Sequence, residues 1–516
     1  MKHILLIIGL LFYTVLLLAQ PNFSKAYRVH DNEDFLCGFG SLTVTDSAYY
    51  ISGGTNDTLH GYSIDRGMLM KIDTNGNKAW VEVYGDTLKT ALTSSNSMIV
   101  TNQGYLARVG RHRDWTGCLL LTDFDGNVIF NKSYPSNIPN HTVYLNKVVQ
   151  DDNSNFYLIG NLYDYYGDDD GLLIKTDSLG NELWRRTYSN PPYNRLLSSD
   201  ILDIGNNEYI ITYNVSENEY HQFSYKDGTW IFKIDSAGNI LNEYKTPYNR
   251  WVSGYNTTIT KDKGILFCHT EGLSRPNTNP SIPEYNYEGY VGKLDSSLQL
   301  VWERRYGSKR TQFAHAIEKD NGEILLTGSL VSDLSVDSVR LTGWLMALDE
   351  NGDSLWQREY ALFSGTRQLH LLKDFEILDD GRLVISGWIN NTNSYANVGT
   401  ARSYWGWLIR TDSFGCIVPG CQLLDNTENI SVIFDNEVTV YPNPASEVVR
   451  FRFEKLIEKD AVIRIYSGLG QLVDEININY SNEGEMNVSD WHTGTYHYGI
   501  YIEGRLVKQG QILVQD

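Results

Sequence analysis

Seven times along the chain, a glycine opens a run of alternating apolar and polar residues that ends at an aspartate and a polar turn. The first copy reads GMLMKIDTNGNKAWVEVY from Gly67, and the others open at Gly117, Gly171, Gly228, Gly289, Gly343 and Gly406. The anchoring aspartates are Asp73, Asp123, Asp177, Asp235, Asp295, Asp349 and Asp412. Asp73 to Asp412 spans six periods, a mean of about 56 residues. Two further apolar runs joined by a polar turn precede each copy, as in KVVQDDNSNFYLIG and FEILDDGRLVISG. That is the signature of a hairpin. Each period therefore carries four strands, a to d.

The c–d turn is DxxGN in most copies. An aspartate can bond back to its own backbone and a glycine accepts positive φ, so both suit a tight turn. Seven residues after the aspartate stands Trp80, Phe130, Trp184, Trp302 or Trp356, and four further on Tyr84, Tyr134, Tyr188, Tyr306 or Tyr360. Residues four apart on a strand share a face, so these pairs are expected to pack on a neighbouring sheet. The fourth copy breaks the rule with Asn242 and Thr246. One register kept over seven four-stranded units predicts a seven-bladed β-propeller over residues 20–421. Separate β-sandwiches do not predict a shared register. The seventh copy lacks strand d, while Phe23–Tyr27 repeats the aromatic and lysine spacing of Phe130–Tyr134. An N-terminal strand within 22–28 is therefore expected to close blade seven, pairing antiparallel near 406–411 and covering an open edge.

Both ends depart from the repeat. Lys2 and His3 precede an apolar run ending at Ala19, so residues 1–19 read as a removable signal peptide. Fifteen or so apolar residues fall short of the ~20 that span a bilayer, so no transmembrane anchor is expected after signal removal. Residues 422–436 form a polar linker, and 437–516 alternate like the strands of one small β-sandwich. The expected fold class is all-β, a seven-bladed propeller followed by that sandwich. Residues 437–516 resemble the type IX secretion C-terminal sorting domain. The matching residues are Tyr441, Pro442, Asn443 and Pro444, then Gly468 and Gly470, then Gly494, Tyr496 and Lys508. Trp491-His492-Thr493 departs from the Leu-rich run usual there. The body, residues 22–421, resembles by repeat pattern the tandem-repeat propellers of secreted proteins in bacteria with that system. The resemblance implies the type IX machinery as partner, export across the outer membrane and a secreted or cell-surface location.

Charge and chemistry narrow the rest. With 43 Lys+Arg against 63 Asp+Glu, the net charge of -20 opposes phosphate backbones, which sets nucleic acid aside as a partner. Cys416 and Cys421 flank a Pro-Gly turn and are expected to pair, while Cys37, Cys118 and Cys268 sit in apolar strands. No HExxH, GxSxG or phosphate loop occurs, no catalytic residue is assigned, and no cofactor is expected. Asp164, Asp168, Asp169 and Asp170 read as a solvated acidic loop, with calcium the alternative. The b–c connections are long, at 53–67, 110–117, 161–171, 213–228, 269–289, 328–343 and 387–406. Trp115, Tyr165, Tyr166, Tyr285, Tyr287, Trp388 and Tyr404 are the candidate ligand-binding aromatics in them. The expected function is non-enzymatic binding or adhesion, with a glycan or protein as ligand. The alternatives are a polysaccharide hydrolase or lyase with an acidic funnel, and a structural surface protein.

Overall fold

A computed structural model describes residues 22–29, 37–57, 64–85, 98–112, 114–164, 169–190, 195–216, 227–247, 251–272, 287–307, 311–333, 340–362, 369–390, 404–418, 421, 438–457, 461–467, 472–502 and 505–515. The expected signal peptide and linker lie outside the described residues. Residues from Phe23 to Ile417 form one compact body, and those from Val418 onward belong to another, the tail. The described residues hold no α-helix.

β1 (Phe23–Tyr27) precedes seven modules. Module one is β2 (Cys37–Val44), β3 (Ala48–Asp57), β4 (Ile64–Asp73) and β5 (Lys78–Tyr84). Module two is β6 (Met98–Val100), β7 (Leu106–Arg111), β8 (Gly117–Thr122) and β9 (Val128–Tyr134). Module three is β10 (His141–Gln150), β11 (Phe156–Asp164), β12 (Asp169–Thr176) and β13 (Glu182–Tyr188). Module four is β14 (Arg195–Asp203), β15 (Tyr209–Ser216), β16 (Asp227–Ile234) and β17 (Ile240–Lys245). Module five is β18 (Trp251–Ile259), β19 (Ile265–Gly272), β20 (Tyr287–Leu294) and β21 (Leu300–Tyr306). Module six is β22 (Gln312–Glu318), β23 (Ile324–Asp333), β24 (Arg340–Leu348) and β25 (Ser354–Tyr360). Module seven has β26 (Leu369–Ile377), β27 (Leu383–Asn390) and β28 (Tyr404–Thr411). Each module pairs its strands antiparallel in chain order, and β1 is the fourth strand of module seven. Phe23 lies opposite Arg410 and Tyr27 opposite Gly406.

The first strands of successive modules contact one another in order, and β26 contacts β2, so the inner strands form a closed circuit. The seams repeat one design. At the first c–d turn, Asp73 Oδ1 accepts the N–H groups of Asn75 and Asn77 at 2.9 and 2.8 Å. Gly76 takes φ +78° there. Its carbonyl accepts the hydroxyl of Tyr27 at 2.9 Å. The same latch runs from Tyr84 to Gly126, Tyr134 to Gly180, Tyr188 to Gly238, Tyr306 to Gly352 and Tyr360 to Gly415, always to the next module. Where Thr246 replaces the tyrosine, the facing turn carries Leu298 in place of glycine, and Thr246 Oγ1 turns back to accept Thr229 N–H at 2.8 Å. The glycine near the start of the c strand is a socket at Gly117, Gly171, Gly289, Gly343 and Gly406: a Cβ on Gly406 falls 2.1 Å from the Phe39 ring, across the seam between the last module and the first.

The tail has β29 (Val438–Tyr441), β30 (Val448–Phe453), β31 (Ala461–Tyr466), β32 (Leu472–Asn477), β33 (Glu483–Asn487), β34 (Gly494–Ile502) and β35 (Arg505–Val514). One sheet runs β29-β30-β33 and the other β32-β31-β34-β35. Phe451 and Met486 from the first sheet and Ile463 and Ile500 from the second share a single buried core.

Candidate functional site

The b–c connections are shorter than their sequence suggests, because strand pairing continues beyond the apolar runs. β11 continues to Asp164 and β12 begins at Asp169. Tyr287, Trp388 and Tyr404 accordingly lie on strands rather than in loops. Tyr165, Tyr166 and Tyr285 lie outside the described residues. The Trp388 and Tyr404 rings meet edge-on at 4.7 Å. Tyr287 is half-buried and its carbonyl accepts Thr311 N–H at 3.0 Å.

Among the described ones, Trp115 is the most exposed of these rings, at 54 %. Its backbone holds φ +69°, a conformation that non-glycine residues adopt at a cost. Two main-chain bonds enforce it: Trp115 N–H donates to His112 O at 3.0 Å, and Trp115 O accepts Val143 N–H at 3.0 Å. The Arg111 guanidinium stacks on the indole at 4.1 Å and reaches the Tyr144 ring at 5.5 Å. Tyr144 meets Tyr163 at 6.3 Å. Burial, with the nearby Asp169 carboxylate, pushes the Tyr163 phenol up to about 12. Beyond it Arg195 Nε donates to Asp169 Oδ2 at 2.7 Å. A rigid tryptophan, a stacked arginine and two tyrosines thus form one continuous array along the edge of modules two to four. The Asp169 carboxylate is thereby paired with the Arg195 guanidinium. Asp164 and Asp170 are also engaged, and Asp168 lies outside the described residues.

A second cluster lines the inside of the circuit. Apart from single parallel pairings of Asp169 with Arg195 and of Leu341 with Leu369, each inner strand pairs on one side only, so its other edge presents unpaired N–H groups. Side chains of the preceding module take them up. Ser41, Lys147, Asp200, Asn256, His315 and Asp374 occupy one equivalent position on six inner strands, opposite Ser52, Ile159, Thr212, Cys268, Thr327 and Ser386. Lys147 Nζ pairs with Asp200 Oδ1 at 2.5 Å, and Asp200 Oδ2 accepts Thr257 N–H at 2.8 Å. Asn256 Oδ1 accepts Ala316 N–H at 3.4 Å. His315 Nδ1 donates to Asp374 Oδ1 at 2.5 Å, and Asp374 Oδ2 accepts Leu42 N–H at 2.8 Å. Burial opposes ionisation of Asp374, but the imidazole and the Leu42 N–H outweigh it and hold the carboxyl below its usual range.

Two residues along β26, on the same face, is Glu376. The equivalent residues elsewhere are Thr43, Ile99, Val149, Leu202, Thr258 and Ile317, so Glu376 alone puts a carboxyl at that level. Burial pushes it up to about 7, and Asp374 adds to the rise. Lys373 is exposed to solvent although protein surrounds it, as befits a group on an enclosed interior. A raised folded pKa means that this stabilisation is complete below about 4.5 and is lost as pH climbs through about 7. Asp374 acts oppositely and loses its contribution in acid. The upper bound for Glu376 is about 3 kcal/mol, and its partial solvation reduces the expectation to about 1–2 kcal/mol. Urea denaturation of the Glu376→Gln variant should therefore show wild type falling behind the variant by that amount between pH 5 and 8. A constant difference across that range contradicts the assignment.

In the tail, Asn443 is stapled to β35: its Nδ2 donates to Gln511 O at 3.0 Å and its Oδ1 accepts Leu513 N–H at 2.8 Å. Tyr441 ends β29, with Pro442 and Pro444 on either side of Asn443. The Tyr496 hydroxyl donates to His492 O at 2.9 Å and its ring packs on Trp491 at 4.8 Å. Gly494 lies opposite Val514 and Lys508 opposite Ile500. Gly468 and Gly470 lie outside the described residues. Cys416 and Cys421 are joined in a disulfide. Cys37, Cys118 and Cys268 are buried free thiols.

No curated protein matches the chain. Among solved structures, a protein of unknown function from Bacteroides caccae is 12 % identical, with 62 % of this chain and 97 % of that chain covered at a TM-score of 0.36. A PL25 ulvan lyase is 8 % identical over 77 % of this chain and 96 % of its own, at 0.46. An α-L-arabinanase of Penicillium chrysogenum, complexed with arabinobiose, is 11 % identical over 61 % and 92 %, at 0.39. Residues 439–515 match the family described as a secretion system C-terminal sorting domain. The tail therefore carries a type IX sorting domain and meets that machinery, and the protein is exported through the outer membrane to the cell surface or the extracellular space.

Proposed function

We propose that the seven modules are the blades of a seven-bladed β-propeller, that the tail is a small β-sandwich, and that the exported body binds a glycan along the edge of blades two to four. The closed circuit of inner strands and the seam between β1 and β28 support the blade count. The division into a signal peptide to residue 19, a body to 421, a linker to 436 and a sorting domain from 437 belongs to the same proposal.

The observation that carries the binding reading is Trp115. An indole half open to solvent is held at positive φ by main-chain bonds on both sides and backed by Arg111. Burying such a ring under a sugar face gains area at little entropic cost, since the backbone is already fixed. Arg111, Tyr144 and Tyr163 extend the platform, and the polar edge of Arg195 ends it. Titration of the exported protein against a glycan panel should find a ligand whose affinity drops about tenfold or more in Trp115→Ala. The melting temperature should stay nearly unchanged. Unaltered affinity, or a large loss of stability, would sink the reading.

A further inference from the structure

The interior cluster contains more than its structural duty needs. Asp200, Asn256 and Asp374 each satisfy an N–H on the neighbouring inner strand. Glu376 satisfies none: its carboxyl has no hydrogen-bond partner among the described residues. His315 uses only Nδ1, so Nε2 is likewise without a partner there, and 18 % of the side chain is open to solvent. Asp374 fixes the imidazole by accepting from Nδ1–H, while Leu42 N–H fixes Asp374 from the opposite side. The Phe375 ring, edge-on at 5.2 Å, holds it further. The result is an oriented base and an unengaged acid on adjacent inner strands, facing one enclosed interior. A purely structural strand repeats Ile, Val, Leu or Thr at the Glu376 position, as the other six do.

We propose that this wall is a catalytic site for hydrolysis of a glycosidic bond of a glycan, with Glu376 as general acid, His315 as general base and Asp374 as the residue that positions the imidazole. In the reaction, Glu376 gives its proton to the bridging oxygen as the bond from that oxygen to the anomeric carbon breaks. His315 Nε2 takes a proton from the water whose oxygen forms the new bond to that carbon. One water is consumed and two hydroxyl-ended fragments leave. The enzyme is left with a Glu376 carboxylate and a protonated His315, which exchange through solvent water. Burial keeps Glu376 protonated near neutrality, the state an acid needs before each turnover. No part of this rests on the edge array around Trp115, so the two readings stand or fall separately.

The test incubates the full exported chain with end-labelled hexasaccharides from a neutral β-glucan, a xylan, an arabinan and a polyuronate, in water enriched in 18O, and follows products by mass spectrometry. The expected result is cleavage of at least one member, one 18O entering per bond cleaved. Glu376→Gln, which keeps the shape of the side chain, should slow cleavage at least a hundredfold. It should leave folding and Trp115-dependent binding intact. Cleavage of no member of the panel, an undiminished rate in Glu376→Gln, or cleavage without 18O uptake each overturns the proposal.

Discussion

Removal of residues 23–27 from the exported protein is expected to cost about 3–6 kcal/mol of stability. Phe23 and Tyr27 are both buried, at 7 % and 6 % exposure. Two such side chains are worth about 1.5–3 kcal/mol each when withdrawn from water. The deletion also uncovers the edge of β28, leaves Gly76 O without the Tyr27 hydroxyl, and empties the contact of the Trp407 indole with Ser24 Oγ at 2.9 Å. Guanidinium denaturation of full-length and deleted chains measures the loss. A synthetic peptide of the missing strand should restore part of it by pairing with β28. A deletion that unfolds at the same denaturant concentration as wild type would show that β1 contributes no closure.

A single methyl group should do comparable damage at Gly328. A Cβ there lies 1.8 Å from Gln312 O, a backbone atom that cannot swing aside. The register between β22 and β23 shifts between Phe313 and His315, and the carbonyl displaced by that shift occupies the space. Overpacking against rigid backbone gives an expected cost of about 3 kcal/mol or more for Gly328→Ala. Gly322→Ala is the control. Its φ of +86° is unfavourable, yet nothing lies within 4 Å of the added atom. That change should cost only about 1–2 kcal/mol. Equal losses in the two variants would contradict the steric account.

Much of this was legible in the repeat. The DxxGN turns, the Trp-to-Tyr spacing and the glycines near the start of the c strands are local patterns, and each performs the same task wherever the repeat keeps it. The edge array was half legible. Trp115 was one of seven aromatics placed in the b–c connections, whereas Arg111, Tyr144 and Tyr163 sit within strands, where aromatics and arginines are ordinary. The interior cluster was the least visible. Lys147, Asp200, Asn256, His315 and Asp374 are single polar residues inside inner strands, and their partners lie a whole repeat away or at the other end of the chain, as Asp374 and Leu42 do. Alignment of the seven copies by their first turn is the signal that finds them, and it also isolates Glu376 as the one acid in its column.

The tyrosine latches carry one more consequence. Each reaches forward, so a module is defined as much by the turn it meets as by its own residues. Thr246 and Leu298 depart together, and neither would suit another seam: Leu298 carried into the second position would set a buried aliphatic side chain where Gly126 now sits against Trp80 and Tyr84. The seven copies are in this way not fully interchangeable parts. Six joints share one latch and the seventh fixes the fourth piece beside the fifth, so a shuffled chain of the same seven pieces would carry mismatched joints wherever those two were separated.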